Sequence, residues 1–252
     1  MAVKLYWFPL SHPAQATRRA LQLKGIPFES VNVLPGMQRI HLRVAGFRDG
    51  TVPAIKLDGR RVQGSLSIAR ALDQRSPEPP LFPQDPALRA RVEEAEAWGE
   101  QELQPVPRRI MRWGVVHDMG LRRWLAAESK LPMPVIAART GGPAARYYAR
   151  VAGAREDAVR RDLAALPGLL DRADALLTEG TLSTDPPNAA TLQILSSVRT
   201  LDAFTDLAAV LRSRPSAAAA RELFPAFSAE VPSFLPADWV SGAPAPAARA
   251  AR

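Results

Sequence analysis

The sequence predicts an α+β unit of β-α-β-α-β-β-α order, a mixed sheet flanked by helices, followed by an all-helical remainder. Three observations predict it. Short β-rich runs alternate with stretches of helical period as far as Arg75. Prolines then crowd the segment SPEPPLFPQDP, which continues neither a helix nor a central strand. From Ala87 to about Phe224 every patterned stretch is helical and no strand pattern competes.

Taken in order, VKLYWF is the first strand; it ends at Pro9, and the loop PLSHP leads into the helix ATRRALQLKG, which stops at Gly25. IPFESVNV reads as a second strand with Pro27 at its edge, and LPGMQRIHLRVAGF as a loop with a weak helix. PAIKL and RRVQ flank Asp58-Gly59, a dipeptide suited to a tight hairpin, and SLSIARALDQR returns to helical period. The expected organisation is therefore a sheet-bearing unit over 1–77, a proline-rich linker over 78–86, a helical unit over 87–238 and a flexible tail over 239–252. Within the helical unit a break is expected around Pro105 and Pro107, and a loop or short helices across 130–150, where Pro132, Pro134 and Gly141-Gly142-Pro143 interrupt.

Of 252 residues, 47% are hydrophobic, enough for a substantial core. No apolar run approaches the roughly 20 residues that cross a bilayer, so no membrane partner and a cytoplasmic location are expected. There is no cysteine, which excludes disulfides and thiolate metal ligands; a thiol, if used, must come with a ligand. The three histidines have no ligand spacing, and no metal site is expected. The net charge of +8 favours acidic ligands. Its arginines are scattered among carboxylates, as in AREDAVRRDLAAL, and no recognition motif accompanies them, so no specific nucleic-acid partner is expected.

Three stretches carry a resemblance. LYWFPLSHPAQATRRALQLKGIPFE, TVPAIKLDGRRVQGSLSIARALD and GTLSTDPPNAATLQIL, in this order and spacing, resemble the cytosolic glutathione S-transferase family, in its serine-type, bacterial-like form. The likeness is closest over residues 3 to about 75 and looser to about Phe204. It implies a thioredoxin-like first domain, an all-α second domain, glutathione as co-substrate without a metal, a hydrophobic small-molecule electrophile and a homodimer. Ser11 falls at the family's catalytic serine or cysteine position; read by itself it is a loop or N-cap serine. With serine in that place, transfer is favoured over thiol exchange, which needs a cysteine.

The family's Val-Pro bond is cis, which implies that Val52 and Pro53 present backbone to the cysteinyl unit of glutathione. The helix start at Gly64 and Ser65 suits its γ-glutamyl carboxylate. Gly64 stands where the family usually has an acidic residue, leaving the ligand's amino group without its partner unless Gln63 or a neighbouring subunit supplies one. Gln38 is a candidate for the glycyl carboxylate, beside Arg39, His41 and Lys56. Strand alternation points Tyr6 away from the site into the core, while Trp7 either lines the cleft or packs. His12 either assists Ser11 or stands by. Met111, Trp113, Trp124, Tyr147 and Tyr148 are candidates for the electrophile side or for core. Asn188-x-x-Thr191 keeps an N-cap where the family has Ser or Thr followed by Asp. The expected activity is activation of the glutathione thiol for attack on an electrophile; the alternative is a non-catalytic binding or interaction protein on the same fold.

Overall fold

The computed structural model describes residues 3–34 and 36–240. Of the tail expected over 239–252, Trp239 and Val240 are helical and residues 241–252 lie outside that range. Four strands, β1 (Val3–Trp7), β2 (Phe28–Asn32), β3 (Ala54–Leu57) and β4 (Arg60–Gln63), form one sheet in the order β2-β1-β3-β4. β1 runs parallel to β2 and antiparallel to β3, and the β3–β4 pair closes through Asp58-Gly59, both at positive φ as a two-residue hairpin demands. Helices α1 (His12–Leu23), α2 (Gln38–Val44) and α3 (Ser65–Arg75) complete the β-α-β-α-β-β-α order.

Alternation on β1 decides which face each helix covers. Val3 and Leu5 face α1, α3 and the helical half, whereas Tyr6 turns to the opposite face and packs edge-on against Phe47, with ring centroids 5.2 Å apart. That second face holds a small cluster of Tyr6, Val33, Leu42, Phe47 and Ala54 beneath α2. Tyr6 is thus a core residue.

The rest is helical: α4 (Pro86–Trp98), α5 (Pro105–His117), α6 (Met119–Glu128), α7 (Pro134–Thr140), α8 (Gly142–Val151), α9 (Glu156–Thr178), α10 (Ala189–Asp202), α11 (Ala208–Leu211), α12 (Pro215–Leu223) and α13 (Ala237–Val240). The break expected around Pro105 and Pro107 falls just ahead of them. A π-helical turn, Gly99–Leu103, links α4 to α5, and Pro105 opens α5 as its first residue, where its missing N–H costs nothing. The 130–150 region resolves into the two short helices α7 and α8.

α10 is the axis of the helical half; Ala189 to Val198 are all buried. Asn188 caps it, its Oδ1 accepting from the Thr191 N–H at 3.0 Å while its Nδ2 donates to the Thr181 carbonyl at 2.8 Å. The connector before α4 is pinned. Lys24 Nζ, fully buried, donates to Asp73 at 2.9 Å and to the Ser76 and Pro79 carbonyls, joining the ends of α1 and α3 to it. Leu81 and Phe82 enter the core, and the Ala189 N–H donates to the Leu81 carbonyl at 2.9 Å.

Candidate active site

Ser11 sits between β1 and α1 as the N-cap of α1. Its carbonyl accepts from the Gln15 N–H at 2.9 Å, but its side chain makes no capping bond. The loop is fixed from both sides: the Ser11 N–H donates to the Phe8 carbonyl, and Gln15 Nε2 to the Pro9 carbonyl at 2.6 Å. The result is a half-buried hydroxyl held at the positive end of a 12-residue helix, with its donor uncommitted among the described residues.

Val52–Pro53 is a cis peptide bond and leads into β3. Among the described residues no hydrogen bond uses the Val52 N–H or carbonyl, although the paired strand begins only two residues later at Ala54. Across the hairpin, Gly64 is the N-cap of α3 with φ 84°, and its N–H donates to the Pro53 carbonyl at 3.0 Å. That bond ties the Val52-Pro53 edge to the α3 start. No side chain caps α3, so the N–H groups of its first turn, beginning at Ser65, are open. Ser11, Val52 and Ser65 are all half-buried, and Gly64 is exposed.

Three other residues singled out in the sequence have partners of their own. Gln63 is spent on the 49–51 loop: its Oε1 accepts from the Asp49 N–H at 3.0 Å and its Nε2 donates to the Asp49 carbonyl at 2.9 Å. It is not free to stand in for an acid at position 64. Gln38 is buried at the start of α2, and its Oε1 accepts from the Gly36 N–H at 2.8 Å, so its carbonyl shapes the loop. His12 faces away from Ser11 into the helical half, where its Nδ1 lies 3.0 Å from Ser197 Oγ of α10. Burial, and then the charge of Arg108, hold the His12 pKa well below the usual histidine value, so the imidazole is neutral.

The sequence profile described as "Glutathione S-transferase, N-terminal domain" matches residues 5–80, the span that holds all of these positions. Residues 5–80 thus carry the N-terminal domain of the glutathione S-transferases. Among curated relatives, a maleylacetoacetate isomerase of Pseudomonas aeruginosa is 32% identical over 134 residues, covering 49% of this chain and 62% of that protein. Glutathione S-transferase Z1 of Arabidopsis thaliana is 38% identical over 94 residues, covering 35% and 41%. The chain thus spans less than two thirds of the length of these relatives. Among solved structures, a glutathione S-transferase from Sinorhizobium meliloti 1021 superposes with a TM-score of 0.60 at 19% identity, covering 96% of this chain and 99% of that one. A maleyl pyruvate isomerase, described as a bacterial zeta-class glutathione S-transferase, gives 0.56 at 20% identity, covering 87% and 90%. These two likenesses establish the transferase fold.

Of the five candidates in the helical half, Trp113 is core, stacked on His117 at 4.5 Å and beside Trp239 at 4.7 Å. Met111 and Trp124 pack partly buried against the same core, and Tyr147 is exposed. Tyr148 reaches the sheet-bearing half, its Oη donating to the Gly36 carbonyl at 3.2 Å.

Two residues were missed in the sequence: Arg108 and Arg112. Spaced i, i+4, they share one face of α5. Desolvation lowers the pKa of each, and a guanidinium stays charged in a protein. Arg112 lies over the Tyr148 ring at 4.7 Å, and Arg108 is near enough to depress His12. Neither forms an ion pair among the described residues. A separate crevice between α1, α3, α4 and α10, lined by Thr17, Ser65, Glu96 and Gln193, has about 20 Å³ of free space. It holds roughly one water molecule, not a tripeptide.

Proposed function

We propose that this protein is a glutathione-dependent transferase or isomerase whose electrophile carries carboxylate groups. The observation that carries the thiol chemistry is the Ser11 hydroxyl, free of any capping bond at the N-terminus of α1. A glutathione sulfur seated there would accept a hydrogen bond from Ser11 Oγ and lie at the positive helix end, which favours the thiolate. The γ-glutamyl carboxylate would be met by the Ser65 hydroxyl and the open N–H groups of α3, and the cysteinyl backbone by the unpaired N–H and carbonyl of Val52. Gly64 contributes backbone only.

The carboxylate preference rests on Arg108 and Arg112, two cations on one face of α5 without ion-pair partners among the described residues, where a hydrophobic electrophile was expected. A thiolate adding to an electron-poor alkene forms a C–S bond and a carbanion beside the activating carbonyl. Protonation of that carbanion yields a conjugate. Rotation about the former double bond and expulsion of the same thiolate yields the isomer, with glutathione regenerated. The relatives named as isomerases of maleyl compounds fit this second course.

Titration calorimetry with glutathione, followed by the ultraviolet absorbance of the bound thiolate against pH, tests the reading. Binding with a thiol pKa below its free value of about 8.5 is the expected result. Absence of binding at millimolar ligand overturns it.

A further inference from the structure

Among the described residues, nine large hydrophobic side chains stand exposed, and they fall into two segments. Met37, Ile40 and Val44 lie on or at the start of α2; Met119, Met133, Val135, Ile136, Tyr147 and Val151 lie across α6 to α8. The Tyr148 to Gly36 hydrogen bond joins α8 to the foot of α2 and so links the segments. The same two segments hold the charge. Residues 37–48 carry three arginines and no acid, and residues 119–151 carry five arginines, one lysine and one glutamate. Their combined net charge equals the +8 of the whole chain, so the remainder of the sequence is electrically balanced. Elsewhere ten arginines pair with carboxylates, as in Arg109–Asp162, Arg160–Glu156 and Arg214–Asp174, and others, among them Arg108 and Arg112, do not. None of the nine cations in the two segments forms an ion pair among the described residues, and only Arg122 is committed to carbonyls, those of Val115 and Val116.

We propose that this surface is a docking site for anionic lipid bilayers, the protein resting on the membrane without crossing it. The charge is complementary to acidic headgroups, each cation near such a surface strengthening attachment. Met133, Val135 and Ile136 stand exposed at the α6–α7 turn and the first turn of α7, between Lys130 and Arg139 in the chain. Apolar knobs flanked by cations suit the headgroup–acyl boundary. A nucleic acid would use the cations and leave the knobs in water. A second copy of this chain in two-fold contact would set the nine cations against themselves.

Co-sedimentation with vesicles separates these occupants without any readout from glutathione. The full-length protein is expected to sediment with phosphatidylcholine vesicles containing about 30 mol % phosphatidylserine, to stay in solution with pure phosphatidylcholine, and to be released near 1 M salt, where the screening length falls to about 3 Å. Neutralising Arg123, Arg139 and Arg150 to Gln should weaken binding about fivefold per site. Met133→Asp with Ile136→Asp should weaken it at least tenfold at unchanged helicity and melting temperature. Failure to sediment with the acidic vesicles, equal sedimentation with both vesicle types, or binding that survives the double aspartate variant each overturns the proposal; the last result assigns the surface to a purely electrostatic partner such as a nucleic acid.

Discussion

Ser11→Ala removes the one hydroxyl at the α1 N-terminus while leaving the backbone bonds of the loop in place. The variant should therefore fold and bind glutathione, yet lose about 10²-fold in the chemical step, read as kcat at saturating glutathione, with the bound thiol pKa rising toward its free value. Gly64 tests the opposite kind of constraint. An added side chain there has open space, but φ 84° with ψ 136° is a backbone region that L-residues avoid. Gly64→Glu, which restores the acid usual in the family, should thus cost about 1–3 kcal/mol in urea unfolding. His12 carries the pH dependence. Its folded pKa is depressed below the unfolded value of about 6.5, so below that pH the unfolded chain binds a proton that the folded chain refuses. Stability is intact above about pH 6.5 and falls as the pH drops, by up to about 1.4 kcal/mol per unit, until the buried imidazole itself protonates. His12→Asn, compared with the parent protein by thermal melting between pH 7.5 and 5, should show a flatter profile across that window.

Among the elements, α10 is the one whose start most repays a test. Asn188→Ala removes the N-cap of a helix buried along most of its length and strips the Thr181 carbonyl of its donor, so about 2 kcal/mol should be lost in denaturant unfolding. This cap was visible in the sequence, as were the strand order, the Asp58-Gly59 hairpin and the start of α3, because each is written in residues close along the chain. The turn at 99–103 was not. Pro105 and Pro107 read as a break, whereas proline is also a good helix opener, and local sequence does not choose between these until the neighbours are placed. Long-range partners were equally hidden. Gln63 is taken by the 49–51 loop and His12 by Ser197, 185 positions away, and neither pairing has a local signature. Arg108 and Arg112 escaped notice because an i, i+4 pair of arginines has the same spacing as the many solvated pairs in this arginine-rich chain. The signal that could have found them was the absence of an acid at either flanking turn position, Gln104 or Val116.

At the scale of the whole molecule, the connector after Arg75 does not separate two independent cores. A single apolar cluster runs from Val3 and Leu5 of the sheet, through Ala16, Leu21 and Ile68, to Leu195 of α10 and on to Leu235. Polar contacts cross the same boundary: His12 to Ser197, Arg70 to the buried carboxylate of Glu96 at 2.7 Å, and the Lys24 cluster onto the connector. Glu96 has its pKa raised by burial, so Arg70 is its compensation and the pair costs stability if either half leaves. Parting the halves would expose the α10 side of α1 and strand these groups in water or, worse, half-desolvated. The sheet-bearing half should therefore not persist once the helical half melts. Tryptophan fluorescence is weighted to the second half, which holds four of the five tryptophans, while far-ultraviolet dichroism reports helices of both. In urea the two signals should trace one coincident transition. An isolated fragment of residues 1–80 should lack a cooperative transition and bind a hydrophobic dye. Two resolved transitions in the full chain, or cooperative melting of that fragment, would show that the proline-rich connector is a true boundary and that the shared core contributes little.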